Sequence, residues 1–198
     1  MPPPEFIDPL NVRMVPAPEV TRWARTNILA DDGQLHNPDH IHLTEASIEF
    51  LWAPCGFAKQ GRVILGQCEE LTFRCGPWQK WRQQQQMTDW FGHLPDFLIT
   101  LDASHCMKCT DVEFCALLEH ELFHIGHQTD DYGAPAFTKD GRPKLGMRGH
   151  DVEEFVGVVR RYGASEDVQR LIDAAKTAPE VGKLNIARAC GTCLLRVA

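Results

Sequence analysis

Apolar residues recur at helical spacing between residues 110 and 126. They are Phe114, Leu117, Leu118 and Ile125. This three-and-four spacing places them on one face of an α-helix. Thr110 and Glu113 form a capping box, in which both side chains satisfy free amides of the first turn, and Gly126 is suited to end the helix. The pattern therefore predicts a helix over residues 110–126.

Two continuous apolar runs predict buried strands. Residues 63–65 lie between Gly61 and Gly66, and residues 97–101 form the strongest strand pattern in the chain. The second run ends just before the predicted helix. A strand in that position can offer its edge to the backbone of an extended peptide. We therefore expect residues 97–101 to border a substrate site.

Other amphipathic stretches predict helices at residues 18–29, 44–52 and 150–162, after a cap at Ser165, and in the tail from residue 184. The expected buried stripe of the 150–162 helix is Val152, Phe155, Val156 and Val159. Asp140 and Gly141 predict a hairpin turn. The mixture of helices and short strands indicates an α+β fold, with a small mixed sheet packed on the 110–126 helix and further helices towards the C-terminus.

The composition is that of one globular domain. The chain has 198 residues, of which 43% are hydrophobic, so it can bury a real core. Residues 1–18 hold six of the thirteen prolines and are expected to form an arm ahead of a single domain at residues 19–198. The net charge of −7 gives no overall attraction to nucleic acid or anionic lipid. No apolar run is long enough for a membrane span and the start does not resemble a signal peptide, so we expect a cytoplasmic protein.

The chemistry suggested by the 110–126 helix lies in residues 120–124, which read HELFH. His120 and His124 stand four residues apart, so both imidazoles can reach one metal ion from the same helix face. Glu121 directly follows the first histidine, where a carboxylate can deprotonate a water molecule at the metal. The pattern predicts a zinc site with Glu121 as its general base.

A catalytic zinc needs a third protein ligand, and three alternatives compete for the position. His150 opens a predicted helix after a loop, and acidic neighbours can orient its ring. Glu153 or Glu154 would complete a site of two histidines and one carboxylate. Asp130 lies six residues after His124, but proteases with that spacing need a glycine where this chain has His127. We favour His150.

The remaining histidines and the tyrosines are not expected to bind the metal. A loop after residue 30 contains His36, His40 and His42, which we expect to hydrogen-bond backbone groups rather than to bind metal. His127 is expected to cap carbonyls at the helix end. The candidates for stabilising a reaction oxyanion are Tyr132, Tyr162 and His127.

Eight cysteines raise the question of a second metal. A Cys-x-x-Cys pair aims two sulfurs at one ion, and the chain has two such pairs. They are Cys106 with Cys109, and Cys190 with Cys193. We expect free thiols in a reducing cytoplasm, with a structural zinc that clamps the tail to the core as the alternative. Cys115 is expected to be plain core.

Tryptophans and basic residues alternate between residues 68 and 93. They are Trp78, Trp81, Trp90, Arg74, Lys80 and Arg82. Such interleaving can stack on nucleic-acid bases. Because Glu69, Glu70 and Asp89 offset the three cations, we favour a helix that packs its tryptophans inward.

The sequence resembles the phage metallopeptidases, which are similar to the SprT-like, or Spartan, zincins. The resemblance is carried by His120 and His124, followed after a long loop by Gly149-His150 and the sequence DVEEF at residues 151–155. It extends to residues 37–40, 50–52, 90–92, 95–102 and 161–163. The resemblance implies a zincin-like fold and supports His150 as the third zinc ligand. The gap between His124 and His150 is longer than in SprT-like proteins, and no full zinc ribbon follows.

These observations predict a zinc metallopeptidase that acts on protein or peptide substrates, encoded by a phage or prophage and located in the cytoplasm of the bacterial host. The alternative is a non-hydrolytic zinc-containing module for binding or assembly. A nucleic-acid-associated protease is a third possibility, which depends on whether Arg74, Lys80 and Arg82 gather on one face near the cleft.

Overall fold

The computed structural model describes residue 2 and residues 13–59, 62–153 and 155–180. Most of the predicted arm, Glu154, and the tail with its predicted helix and Cys190 and Cys193 lie outside these residues. The strands are β1 Val15–Pro16, β2 Ile48–Ala53, β3 Phe57–Lys59, β4 Arg62–Ile64, β5 Gly66–Glu70, β6 Phe97–Asp102, β7 Ile125–His127 and β8 Leu145–Met147. The helices are α1 Pro18–Ala24, α2 Pro77–Phe91, α3 Ala103–Cys106, α4 Asp111–Phe123, α5 Val156–Tyr162 and α6 Glu166–Lys176.

Two irregular helices link α1 to β2. A π-helical turn, Arg25–Leu29, extends α1, and a 3-10 helix spans Pro38–Leu43. Asn37 begins the 3-10 helix, because its side chain accepts a hydrogen bond from the Asp39 amide at 3.0 Å. None of the helices in the described part of the chain has the length and apolar character that crossing a bilayer requires.

A four-stranded sheet in the order β1-β2-β6-β5 forms the centre of the molecule. β2 and β6 pair in parallel, whereas β1 and β5 pair with their neighbours antiparallel. Two smaller sheets are the hairpins β3–β4 and β7–β8. The mixed sheet with helices confirms the predicted α+β class.

Both faces of the sheet are covered. Side chains of β2 and β6 at alternating positions pack with buried residues of α1 and α4 in the larger core, which includes Phe50, Ile99, Leu118 and Leu122. The positions between them face α2, where Leu51 and Leu98 contact Met87. Because β6 is buried on both faces, its continuous apolar run is the pattern expected of a central strand.

Two predictions in the first half of the chain are wrong. Residues 48–53 form β2 and not the end of a helix, because both faces of this segment are buried and β6 supplies its hydrogen bonds. Residues 63–65 do not form a buried strand, since Val63 is 67% exposed on the β3–β4 hairpin.

The C-terminal half agrees in part. The hairpin at Asp140 and Gly141 is confirmed by the Thr138 amide bond to the Arg142 carbonyl at 2.8 Å and by φ of 81° at Gly141. Ser165 caps α6 as predicted. The 150–162 helix begins only at Val156, and its predicted apolar stripe is wrong, because Phe155 and Val156 are largely exposed.

The tryptophans of α2 correct another expectation. Trp78 is 82% exposed and Trp81 is 63% exposed, whereas Trp90 packs against the smaller core. The helix rests on the sheet only through its C-terminal half, where Met87 is buried. Residues 77–83, its first two turns, are all exposed and include both of these rings.

Candidate metal and catalytic site

The helix that carries the HELFH sequence begins as predicted. The Glu113 carboxylate accepts from the Thr110 amide at 2.7 Å, and the Thr110 hydroxyl accepts from the Glu113 amide at 3.3 Å. α4 then runs to Phe123, and His124 is its C-cap. The chain leaves the helix slightly before the predicted stop at Gly126 and continues directly into β7.

Three histidines meet at the C-terminal end of α4. His120, His124 and His150 each place one ring nitrogen within 4.8 Å of the others. The Nε2 atoms of His120 and His150 are 3.3 Å apart. Two nitrogens that share one tetrahedral zinc at about 2.0–2.1 Å should lie roughly 3.4 Å apart. The separation therefore fits two ligands of a single zinc ion.

Residue 148 holds two of these histidines in place. The Arg148 carbonyl is 2.9 Å from Nδ1 of His124, and the Arg148 amide donates to the His124 carbonyl at 2.7 Å. The carbonyl can only accept, so Nδ1 carries the proton and Nε2 is left free for a metal. Arg148 also pairs with Asp151, which fixes the loop on both sides of His150. No local sequence pattern indicates this role of Arg148.

Of the other candidates for the third ligand, Asp130 and Glu153 are not part of this histidine group, and Glu154 lies outside the described residues. Asp130 accepts hydrogen bonds from the amides of Tyr132 and Ala134, both at 2.9 Å, and so closes its own turn. The Glu153 carboxylate lies on the Nδ1 side of His150 at 3.6 Å, which is longer than a direct hydrogen bond.

Glu121 is the buried carboxylate of the site, with 4% of its surface exposed. The backbone of Cys68 in β5 hydrogen-bonds its carboxyl group. Burial raises the pKa of Glu121, while His124, this hydrogen bond and His150 oppose the rise. A raised pKa brings a carboxylate closer to the operating pH and so suits it to act as a base.

Gly66 at the start of β5 makes room for that carboxylate. A Cβ atom at this position would lie 2.5 Å from Oε1 of Glu121, a distance that real Cβ contacts do not reach. The glycine was predicted only as the end of a strand, and its role depends on the packing of α4 against β5.

The strand that borders the site is β5, and the expectation for residues 97–101 is wrong. β6 lies between β2 and β5, so both of its edges are already paired. The Leu71 amide bonds to the Asp96 carbonyl and the Asp102 amide bonds to the Leu65 carbonyl. Because the direction of backbone groups alternates along a strand, Gly66, Cys68 and Glu70 point their amides and carbonyls away from β6.

The three candidates for oxyanion stabilisation are either exposed to solvent or bonded to backbone. Tyr132 is 95% exposed, and Tyr162 is 77% exposed with the Arg161 guanidinium over its ring. His127 is the last residue of β7, and its Nε2 lies 2.8 Å from the Ala136 carbonyl. This contact agrees with the predicted backbone role of His127, although the carbonyl belongs to the following loop and not to the helix end.

The histidines of the 3-10 helix divide into two kinds. His42 places Nε2 2.8 Å from the Ile125 carbonyl, which confirms the expected backbone contact. His40 is 1% exposed and neither of its ring nitrogens has a hydrogen-bond partner. Burial lowers the pKa of His40 to about 4, with a smaller contribution in the same direction from the nearby His42 and an opposing one from Asp39.

The low pKa of His40 predicts a loss of stability in acid. An unfolded chain takes up a proton at its ordinary pKa of 6.5, well before the folded chain does so near 4. The free energy of unfolding should therefore fall by up to about 1.4 kcal/mol per pH unit from this residue as the pH drops from 6.5 to 4. Urea unfolding of metal-free protein across that range measures the slope. His40→Gln is the control, because it lacks the titrating ring and its free energy of unfolding should fall less over this pH range. An equal fall in the free energy of unfolding of the two proteins would contradict the prediction.

The described cysteines are free thiols. Sγ of Cys109 lies 3.5 Å from the Cys106 carbonyl, and burial raises the pKa of Cys106 to about 12. Cys115 is 5% exposed in the main core, as predicted.

A cavity of about 570 Å³ lies at the C-terminal end of β5. Its charged lining is balanced between three basic and three acidic side chains, Lys80, Arg142, Lys144, Glu45, Glu70 and Asp96. Of the three cations on which the nucleic-acid hypothesis depends, Lys80 lines this cavity, whereas Arg74 and Arg82 do not. This balanced lining does not favour a polyanion.

Comparison with known proteins gives one family. The model of the family described as "Putative phage metallopeptidase" matches residues 21–176, which include α4 and all three histidines of the site. No curated protein and no solved structure matches the chain.

Proposed function

The chain belongs to this family of phage metallopeptidases, and on that premise we propose that it is a zinc-dependent peptidase. The observation that carries the proposal is the meeting of His120, His124 and His150 beside the buried carboxylate of Glu121. The direct experiment is incubation of the zinc-loaded protein with an unfolded protein substrate, with and without a chelator. Cleavage that the chelator abolishes supports the proposal.

The donor set fits a catalytic zinc. Imidazole nitrogens are ordinary zinc ligands, and burial together with His124 and His150 lowers the pKa of His120, which favours the neutral form that binds metal. Among the described residues, the group contains these three histidines and no fourth side chain. Three protein ligands and an open position are typical of catalytic zinc, whereas structural zinc has four. The donor set therefore favours the peptidase over the non-hydrolytic binding or assembly module.

In the proposed reaction, zinc held by the three histidines would polarise a peptide carbonyl and lower the pKa of a water molecule. The Glu121 carboxylate accepts the proton of the attacking water and returns it to the leaving amine. Its burial against Gly66 and its bond to the Cys68 backbone fix the position of its oxygens. His124 keeps its orientation through the Arg148 carbonyl, and His150 faces Glu153.

We propose that the C-terminal end of the outward edge of β5, at Glu70, holds the substrate backbone, because the Cys68 backbone on the same edge is bonded to Glu121. Gly66 and Cys68 lie against Glu121, and Glu70 lines the cavity two residues further along. A peptide paired with this edge would advance about 3.3 Å per residue and so enter the cavity two or three residues from the scissile bond. β8 lies close to β5, with Cα atoms within 8 Å. The β7–β8 hairpin therefore has to move before a full-length substrate strand can pair with β5.

Glu70→Pro should test the edge without breaking the sheet. The Glu70 amide points away from β6, so proline removes a donor to substrate and leaves the ladder intact. We expect kcat/KM to fall about ten-fold, the value of one backbone hydrogen bond. Glu70→Ala is the matched control, since it removes the side chain and keeps the amide. If the alanine variant loses as much activity as the proline variant, the backbone role is excluded.

A second, structural zinc is the alternative to free thiols at the Cys-x-x-Cys pairs. Cys106 and Cys109 lie at the end of α3 and just after it, close to the start of α4. They could bind a structural zinc together with Cys190 and Cys193, which lie outside the described residues. Elemental analysis should then give two zinc ions per chain, and Cys106→Ser should reduce the count to one.

The proposed setting is the cytoplasm of a bacterial host. The match to a phage family is compatible with this setting. The proposed substrates are proteins or peptides.

A further inference from the structure

One side of the metal-binding helix is held by a short polar segment, residues 37–42. Nδ2 of Asn37 donates to Oε2 of Glu119 at 3.0 Å, and Nε2 of His42 lies 2.8 Å from the Ile125 carbonyl. Between these contacts His40 packs its ring against Phe123, with ring centroids 4.5 Å apart. The segment therefore contacts α4 at Glu119 and Phe123 and the start of β7 at Ile125.

His40 is the unusual member of this segment. Its side chain has no exposed surface, and Nε2 lies 4.0 Å from Oε2 of Glu119, beyond a direct hydrogen bond. Burying two unpaired ring nitrogens costs stability, and an apolar ring of similar size would avoid that cost. Packing against Phe123 therefore does not explain why this position is a histidine. Apart from Asp39 in its own 3-10 helix, the acidic side chain near His40 is Glu119 of α4, which a ring N–H can reach through a small shift or a bridging water.

The contacted residues stand next to the metal ligands. Glu119 and Phe123 directly precede His120 and His124, so they form the neighbouring face of the same helix. Fixing that face fixes the rotation of α4 about its axis. A rotation of about 10° would move a ring at the helix surface by roughly 1 Å. Metal–ligand distances tolerate only about 0.2 Å.

We propose that the side chains of Asn37, His40 and His42 form a positioning element for the metal site and that His40 is a positioning residue within it. His40 acts on His120 and His124 through Glu119 and Phe123, and it does not touch metal or substrate. The polar ring is kept at the expense of fold stability because its contact with Glu119 sets the rotation of α4. This inference rests on the proposed function, since it assumes that the three histidines bind zinc.

The test compares His40→Phe with His40→Gln in the full chain. Phenylalanine keeps an aromatic ring against Phe123 and removes both unpaired nitrogens, so the melting temperature should stay the same or rise. Zinc affinity, measured by competition with a chromophoric chelator, should nevertheless fall 10–100-fold, the range seen when outer partners of metal ligands are removed. Glutamine retains a donor that can reach Glu119 and should recover part of the affinity. Ile41→Ala is the matched control, because Ile41 is 67% exposed in the same 3-10 helix, and it should leave the affinity unchanged.

The outcomes separate a positioning role from packing. A His40→Phe variant with wild-type zinc affinity overturns the inference, and so does a His40→Gln variant that binds zinc no better than the phenylalanine variant. If His40→Phe does not fold, His40→Gln is compared with His40→Leu by the same criterion. Zinc affinity is measured without turnover, so a wild-type protein that binds zinc but cleaves nothing refutes the proposed function and still leaves the positioning role to be judged.

Discussion

Glu121→Gln is expected to lower kcat by about 100-fold to 10,000-fold, the range supplied by a positioned general base. The amide cannot accept the proton of the attacking water, so the proposed reaction loses the group that both takes and returns this proton. Glutamine has nearly the same shape as glutamate and still fits beside Gly66. The ligands of the proposed zinc are untouched, so zinc content and melting temperature should stay close to those of the wild type.

The measurement is the initial rate of cleavage of an unfolded protein by zinc-loaded enzyme. Glu166→Gln is the matched control, because it makes the same chemical change at an exposed carboxylate in the first turn of α6. It should retain wild-type activity. Normal turnover by Glu121→Gln would remove Glu121 from the mechanism, whereas loss of zinc from this variant would show that the carboxylate supports the metal site itself.

His150→Ala should weaken zinc binding more than any other single change outside α4. Removing one of three ligands leaves two histidines on one helix, and two ligands do not form a closed tetrahedral site. We expect the loss to exceed the roughly 10–100-fold typical of changes in the outer partners of metal ligands. Cleavage should disappear in parallel at low zinc concentration.

His93→Ala provides the control for this variant. His93 is 47% exposed and contacts Ser47 and the Phe91 carbonyl, so its loss should leave zinc affinity unchanged. Competition with a chelator measures both variants. An unchanged affinity in His150→Ala would move the third ligand to Glu153 or Glu154, which corresponding glutamine variants would then identify.

The metal helix could be predicted because its information is local. The capping box of Thr110 and Glu113 lies within one turn, and the spacing of His120 and His124 needs only helical geometry. The proximity of His150 is not local, because backbone bonds between Arg148 and His124 bring it back to α4. The favoured ligand rested on residue type and resemblance, and the structure adds its position.

The strands show where sequence patterns failed. A run that is apolar on both faces fits a buried strand and a helix equally well, so β2 was assigned to a helix. β5 lacks the apolar pattern of a strand, because Gly66 has no side chain and Gln67, Glu69 and Glu70 are polar. It is a strand because it pairs with β6. The substrate edge was therefore attributed to residues 97–101, one strand too far inside the sheet.

The surface of α2 and the burial of His40 depend on how the elements meet. Trp78 and Trp81 are exposed because the sheet supports only the later turns of α2. His40 is buried because the 3-10 helix lies against Phe123 and Glu119. Three histidines between residues 36 and 42 were the only local pattern in this region. That pattern does not distinguish a buried histidine from one that hydrogen-bonds a loop carbonyl.

The central claim is that zinc at His120, His124 and His150 supports peptide cleavage. The most direct test is titration of metal-free wild-type protein with Zn²⁺ while cleavage of a fluorogenic unfolded protein is followed. Activity should rise with the first equivalent of zinc, or with the second if the cysteines also bind zinc, and Glu121→Gln should stay inactive throughout. Stoichiometric zinc binding with no cleavage at any equivalent would contradict the account and favour the non-hydrolytic module.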